Sequence, residues 1–271
     1  MLGEKWNERL RQQFVLSVLA CPGCRAPMAS VVGVDPVCQL CGRSYPRRNG
    51  ILSLAESEAR LKTQVRAEEH YRHSYTSLQT FGDQWIAADL VLQADPGTVL
   101  EIGVGQRVLS HYLSFLGVNV FTIDIDSALS PDIQADVREL PVQDGSFDVV
   151  CCFEVLEHIP YGDFLLTVSR CFAKARKRFI FSVPDVRYVL AMHLRFEIGT
   201  RNLIDRPLRV VFPRLHRRKL GSHQEHYWEI GRAGFPLSRI LRDLSSIPGV
   251  GRIDHHRSVS TNSIRFFVLK R

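Results

Sequence analysis

The sequence predicts an α/β fold: a mostly parallel sheet with helices on both faces. Three observations carry that prediction. Apolar runs at 98–102, 119–125, 131–136, 147–153 and 178–183 alternate with stretches of helical spacing, the pattern of strand–helix–strand units. The first run is followed by Gly103-Val-Gly105, and its glycines allow a tight turn and close approach of backbone to a ligand. The second run ends in acid, Ile123-Asp124-Ile-Asp126, which puts a carboxylate where it can accept both hydroxyls of a ribose.

In chain order, residues 6–19 read as a short amphipathic helix. Residues 20–54 hold two C-x-x-C knuckles, Cys21-Pro-Gly-Cys24 and Cys38-Gln-Leu-Cys41, separated by thirteen residues. Two such pairs can complete a tetrahedral thiolate site for Zn²⁺. Two disulfides are the alternative, disfavoured because no secretory signal is apparent. Residues 55–75 read as a charged helical linker, and Phe81, Trp85 and Ile86 as a cap over the core domain that begins at 98. The stretch 106–116 has helical spacing, with Val108, Leu109, Tyr112, Leu113 and Leu116 on one side. The alternating segment 263–270 reads as a final strand, antiparallel to its neighbours. Cys151, Cys152 and Cys171 sit in or near apolar runs as core residues.

With 271 residues and 45% hydrophobic content, the chain can hold one large domain plus a small module. No apolar run reaches the roughly 18 residues of a membrane span, so a cytoplasmic protein is expected. The net charge of +7 is local in origin. Residues 176–219 carry twelve Lys/Arg against three acids, Asp185, Glu197 and Asp205, and the remainder is slightly acidic. Arginines and large apolar residues are mixed there. That mixture suits a solvated lid, an RNA contact, or an anionic membrane surface with a lipid-linked substrate.

A dinucleotide would call for a third glycine to cradle its pyrophosphate, and here Gln106, Arg107 and Val108 follow Gly105. Glu101-x-Gly103-x-Gly105, Asp124, Ala135-Asp136-Val137 and Asp144-Gly-Ser-Phe-Asp148 through Glu154-Val-Leu-Glu157-His158 resemble, in order and spacing, the class I S-adenosylmethionine-dependent methyltransferases with a type-11-like core. The resemblance covers about 98–184. It implies a Rossmann-like, mostly parallel seven-stranded sheet, with S-adenosyl-L-methionine held by Glu101, Gly103, Gly105, Asp124, Asp136, Val137, Phe153 and Glu154. Asp124 is the implied ribose acid, with Asp126 as runner-up or turn cap; Asp136 is the implied acceptor for the adenine amino group, and Glu101 lies near the methionine amino group. Many family members have glycine where this chain has Arg107, whose side chain must either crowd the ligand's amino-acid end or point away.

The text around the cysteines, Leu19-Ala-Cys-Pro-Gly-Cys and Gly42-Arg-Ser-Tyr-Pro-Arg-Arg-Asn-Gly50, resembles the zinc ribbon that accompanies several methyltransferases. The expected organisation is therefore an N-terminal helix and zinc ribbon (1–54), a helical linker and cap (55–97), and a methyltransferase domain (98–271) with an acceptor-side insertion at 187–231. That insertion ends in the dense block Gly221-Ser-His223-Gln-Glu-His226-Tyr-Trp228-Glu-Ile-Gly231. It resembles a block of bacterial methyltransferases thought to act on cell-surface or small-molecule substrates. It is expected to close over the transferable methyl as a mobile flap, with His223, His226 and Trp228 facing the pocket. His158, His223 and His226 are the candidates for handling an acceptor's proton. The expected activity is methyl transfer to a small-molecule or glycan/lipid-type acceptor, with peripheral membrane contact through 187–219 open. The alternatives are an RNA methyltransferase and a non-catalytic cofactor-binding partner protein.

Overall fold

A computed structural model describes residues 13–14, 17–28, 35–48, 51–54, 77–198, 201–212, 226–261 and 263–271. For 191–198, 201–209 and 211–212 it describes the backbone alone. Most of the expected 6–19 helix, the 55–75 linker and His223 lie outside these residues.

The strands are β1 (Arg47–Arg48), β2 (Ile51–Ser53), β3 (Thr98–Ile102), β4 (Asn119–Asp124), β5 (Ile133–Gln134), β6 (Phe147–Phe153), β7 (Ala175–Pro184), β8 (Tyr188–Ile198), β9 (Arg201–Phe212), β10 (Arg252–Arg257) and β11 (Ile264–Lys270). The helices are α1 (Leu78–Leu92), α2 (Val108–Phe115), α3 (Tyr161–Lys174) and α4 (Leu237–Ser245). Nine strands form one sheet in the order β1-β2-β5-β4-β3-β6-β7-β11-β10. Pairing is parallel from β2 through β7 and antiparallel at β1–β2, β7–β11 and β11–β10.

The seven strands implied by the resemblance correspond to β5-β4-β3-β6-β7-β11-β10, of which β10 has no counterpart in the sequence reading, and two further strands come from the cysteine-bearing segment. β5 is two residues long, and β2 continues the sheet beyond it through Leu52↔Ile133 and Ser53↔Gln134. The edge that β5 would otherwise present is thereby paired. The N-terminal segment also sits against the sheet elsewhere: Ala20 N–H donates to Pro141 O at 2.9 Å and Gln143 N–H to Val18 O at 2.8 Å.

Side chains alternate across the central strands because successive residues of a strand face opposite ways, apart from an irregularity in β6 between Phe147 and Val149. Leu100, Phe121, Val150, Cys152, Phe179, Phe181 and Phe267 face one core, shared with Leu19, Leu52, Leu54, α3 and α4. Val99, Val120, Val149, Cys151, Ile180, Phe266 and Val268 face the other, under α1 and α2. Both faces are covered, which is why the central strands read as unbroken apolar runs. α1 starts at Ser77, whose hydroxyl accepts the Thr80 N–H. α3 carries Asp163 in its first turn and Lys174 in its last, matching the helix dipole.

The insertion contains a structure the sequence reading lacked. β8 and β9 form a separate antiparallel ribbon with a register shift between Phe196 and Glu197. The chain leaves the sheet at the carboxyl end of β7 and returns beside it, where Asp185 bridges Ile230. Asp185 anchors that base: it is fully buried and accepts from Arg187 Nη2 at 2.6 Å and Arg265 Nε at 2.9 Å. Burial pushes its carboxyl up, and the two guanidiniums more than offset this and hold it below the usual carboxylate range.

Leu52 is 1% exposed in the core shared by the cysteine-bearing segment and the sheet. Leu52→Ala should therefore cost the whole chain about 2–4 kcal/mol in a single urea transition. A separate early transition, with the main one unmoved, would contradict a shared core.

Candidate active site

The carboxyl ends of the parallel strands open into one cavity of about 630 Å³, the position where open α/β sheets take ligands. β3 and its glycine turn supply Glu101, Gly103, Val104 and Gly105; β4 supplies Asp124; the β5 side supplies Asp136 and Val137. β6 and the turn after it supply Phe153, Glu154, Glu157 and His158, β7 supplies Ser182, and the distal block supplies His226 and Tyr227. Every candidate cofactor residue from the sequence thus lines one cavity, together with His158 and His226.

Gly103 has φ +81° and Gly105 φ +46°. A Cβ on Gly103 would lie 2.3 Å from Val155 Cγ2, so both conformation and space demand glycine. Asp124 ties this turn to β4. Its Oδ2 accepts the Val104 N–H and its Oδ1 the Asp126 N–H, both at 2.8 Å. Each oxygen keeps a further lone pair for a ligand hydroxyl. Asp126 turns its Oδ1 to the Ala128 N–H as a turn cap. Arg107 points away from the ligand end: it starts α2 at φ +61°, and its Nη1 donates to the carbonyls of Leu129, at 3.1 Å, and Ser130.

The cavity is rich in carboxyls, and among the described residues no Lys or Arg lines it. Glu101 is 4% exposed and its Oε2 has no hydrogen-bond partner. Burial pushes its pKa up to about 8. Glu154 receives a hydrogen bond from Ser182 Oγ at 2.8 Å, and burial at the cavity floor pushes it to about 8 as well. Its φ of +53° is unusual for a residue with a side chain. Burial also raises Asp124 and Asp83. Asp136 differs: both its oxygens already receive the Arg138 guanidinium, at 2.5–3.1 Å, so any further donor would share them.

The distal block divides in two. His226 lines the cavity with its ring 4.8 Å from that of His158, edge to face. Trp228, expected to face the pocket, is fully buried instead. Its Nε1–H donates to Leu156 O at 3.1 Å, and its ring meets Tyr161 and Phe164. Phe81 and Trp85, expected as a cap, lie 50% and 60% exposed, Trp85 against Tyr112. The cavity side of α1 is Thr80, Asp83, Gln84 and Ala87, one helical stripe that the aromatic residues masked in the sequence. Ser182 also escaped the sequence reading; a lone hydroxyl in an apolar strand was its signal.

Away from the cavity, the four Sγ atoms of Cys21, Cys24, Cys38 and Cys41 lie within 4.8 Å of one another. Cys24 and Cys38 Sγ are 3.4 Å apart, and Cys21 and Cys41 Sγ 3.6 Å. Disulfide sulfurs sit about 2.0 Å apart, whereas a tetrahedron with metal–sulfur bonds of about 2.3 Å has edges near 3.8 Å. The donor set fits Zn²⁺.

A family profile described as "Methyltransferase domain" matches residues 69–217. The chain belongs to this methyltransferase-domain family of S-adenosylmethionine-dependent proteins. Over 123 residues it is 29% identical to the ubiquinone biosynthesis O-methyltransferase of Bordetella parapertussis, covering 35% of this chain and 50% of that protein. Over 103 residues it is 35% identical to the protein of the same name from Xanthomonas campestris pv. campestris, covering 32% and 41%. The chain thus spans about half the length of the curated relatives it matches. Among solved structures it is similar to the 1,6-didemethyltoxoflavin-N1-methyltransferase of Burkholderia thailandensis, with a TM-score of 0.46 and 14% identity over 90% of this chain and 98% of that one.

Arg107→Ala and Arg107→Gly lose the same bonds to Leu129 and Ser130, but only glycine is unstrained at φ +61°. The glycine variant should be more stable in urea unfolding by roughly 0.5–1 kcal/mol, left-handed strain outweighing its greater unfolded-state entropy. An alanine variant of equal or higher stability would contradict that backbone conformation.

Proposed function

We propose that the chain transfers a methyl group from S-adenosylmethionine to a small-molecule or glycan/lipid-type acceptor. The observation that carries this reading is the cavity itself: strand-end carboxyls around a glycine turn, with no Lys or Arg among the described lining residues. Such a cavity favours a ligand with cationic groups, because each buried carboxyl gains a counter-charge. When bound, S-adenosylmethionine supplies a methyl group activated by its sulfonium charge. The residues present suit it: the unpartnered Oε2 of Glu101 takes the ammonium, Asp124 accepts the ribose hydroxyls, and Asp136 shares its carboxylate with the adenine amino group. Phe153, Val137 and Glu154 complete the walls. Holding donor and nucleophile in line in a water-poor space supplies most of the acceleration.

On the acceptor side we assign His158 and His226, and the same proposal covers His223. The β8–β9 ribbon leaves the sheet at this end, and Tyr188, Leu190 and Val210 on it are 50%, 55% and 42% exposed. Leu190 and Val210 are direct partners in the ribbon. Together with the net positive charge of 187–219, this favours an acceptor with an apolar and an anionic part, with the ribbon as the surface for peripheral contact with an anionic membrane. Among the described residues, no helix is long and apolar enough to cross a membrane. The RNA alternative has the cysteine-bearing segment and that basic segment behind it, and among the described residues no lysine or arginine lines the cavity. A structural Zn²⁺ on Cys21, Cys24, Cys38 and Cys41 belongs to the same proposal and would stabilise the β1–β2 edge.

Asp124→Ala should weaken S-adenosylhomocysteine binding by about 2 kcal/mol, or roughly 30-fold, in calorimetry, because two ribose hydroxyls lose their acceptor. Asp124→Asn should fall in between. Unchanged affinity in the alanine variant contradicts the ribose assignment.

The purified protein should carry one zinc per chain by metal analysis, lost in Cys38→Ser, with lower stability after chelation. A metal-free preparation of full stability would overturn the zinc assignment.

A further inference from the structure

We propose that Glu229 is a positioning carboxylate that fixes His226 as its Nδ1–H tautomer, making Nε2 the proton acceptor for the substrate side of the cavity. The inference rests on the methyl-transfer reading above and adds a residue to it.

The geometry is local and specific. His226 Nδ1 lies 2.9 Å from Glu229 Oε1, three residues on, and the His226 side chain is 29% exposed where it lines the cavity. An imidazole whose Nδ1–H is given to a carboxylate has only Nε2 left to accept a proton. Glu229 is itself held: its other oxygen receives Arg232 Nε. Burial works to protonate Glu229, and the bonds from His226 and Arg232 more than offset it, so it remains a carboxylate.

The backbone fixes the pair against the rest of the site. Tyr227 N–H donates to Glu157 O at 2.8 Å, Trp228 Nε1–H to Leu156 O at 3.1 Å, and Ile230 N–H to Pro184 O at 3.0 Å. His226 is thereby pinned to the turn after β6 and to the end of β7. The charged and titratable groups that face it are Glu157 and His158 from that turn, Glu229 and Arg232 from its own segment, and Glu154, which feels Glu229.

In the transfer, an acceptor hydroxyl oxygen forms a bond to the methyl carbon while the carbon–sulfur bond breaks and sulfur keeps the electron pair. The hydroxyl proton passes to His226 Nε2. The resulting imidazolium is stabilised by the Glu229 carboxylate and later returns the proton to water.

The test is long-range ¹⁵N–¹H NMR of the imidazole rings in the full chain saturated with S-adenosylhomocysteine, for wild type, Glu229→Gln and His226→Asn. The His226→Asn spectrum assigns the signal. At pH 8 His226 should show a protonated Nδ1 and a bare Nε2. In Glu229→Gln the Nδ1–H signal should give way to a mixture of both tautomers, since an amide can donate to Nδ1 as well as accept from it, while S-adenosylhomocysteine affinity stays unchanged. An Nε2–H tautomer in the wild type overturns the proposal, as does an unchanged tautomer in Glu229→Gln. Selective broadening of His226 by manganese(II) does so too, by showing Nε2 held by a cation. Failure of S-adenosylhomocysteine to bind at all overturns the cofactor reading instead, so the two failures are distinguishable.

Discussion

Glu101, Asp124 and Glu154 lie at the ends of three adjacent parallel strands and turn their carboxyls into one space that no Lys or Arg lines among the described residues. Burying carboxyls in this way is costly, and the fold meets that cost by shifting protonation: Glu101 and Glu154 titrate near 8. The architecture around them is what makes the arrangement tenable. Asp124 is held by two backbone N–H groups from the turns that it joins, and Ser182 reaches across from β7 to Glu154. In the proposed function this stored electrostatic demand is what selects a cationic ligand over a neutral nucleoside.

The cysteine-bearing segment and the distal block share one core and act on this site from different strands. β2 pairs with β5 next to the strand that carries Asp124, so stability at that edge bears on the placement of Asp124. At the other side, Asp185 and its arginines fix the base of the insertion, and Trp228 seals the turn that presents His158. Trp228 belongs to the core rather than to the pocket because it is the largest apolar side chain of its segment, and Tyr161, Phe164 and Phe235 surround it. Its neighbour His226, with a ring that can stay polar at one edge, takes the cavity position.

The strands that form the cavity floor were legible because period and position coincide there. Apolar runs with a glycine turn or a terminal acid mark β3 and β4 to within a residue, and the alternating 263–270 segment marks β11. β10 was not legible: Arg252-Ile-Asp-His-His-Arg257 has one apolar residue and is a strand only because a full ladder with β11 makes it so. The union of β2 with β5 was invisible for a similar reason, since two short strands carry no period and their pairing is a long-range fact. The aromatic residues Phe81 and Trp85 misdirected the reading of α1 because hydrophobicity alone does not say which stripe of a helix faces a ligand. Asp136 was found by its motif, but its engagement by Arg138, two residues on, needed coordinates.

The central claim is that a buried, protonated Glu101 ionises to meet a cationic ligand. Below pH 8 the free protein holds that proton, and pairing with an ammonium lowers the carboxyl and expels it, so affinity rises as pH increases toward 8. Calorimetry of S-adenosylmethionine binding at pH 7, in two buffers of different ionisation enthalpy, counts the protons directly. The account predicts release of close to one proton per site, abolished in Glu101→Gln. Binding without proton release, or release that persists in Glu101→Gln, would contradict it.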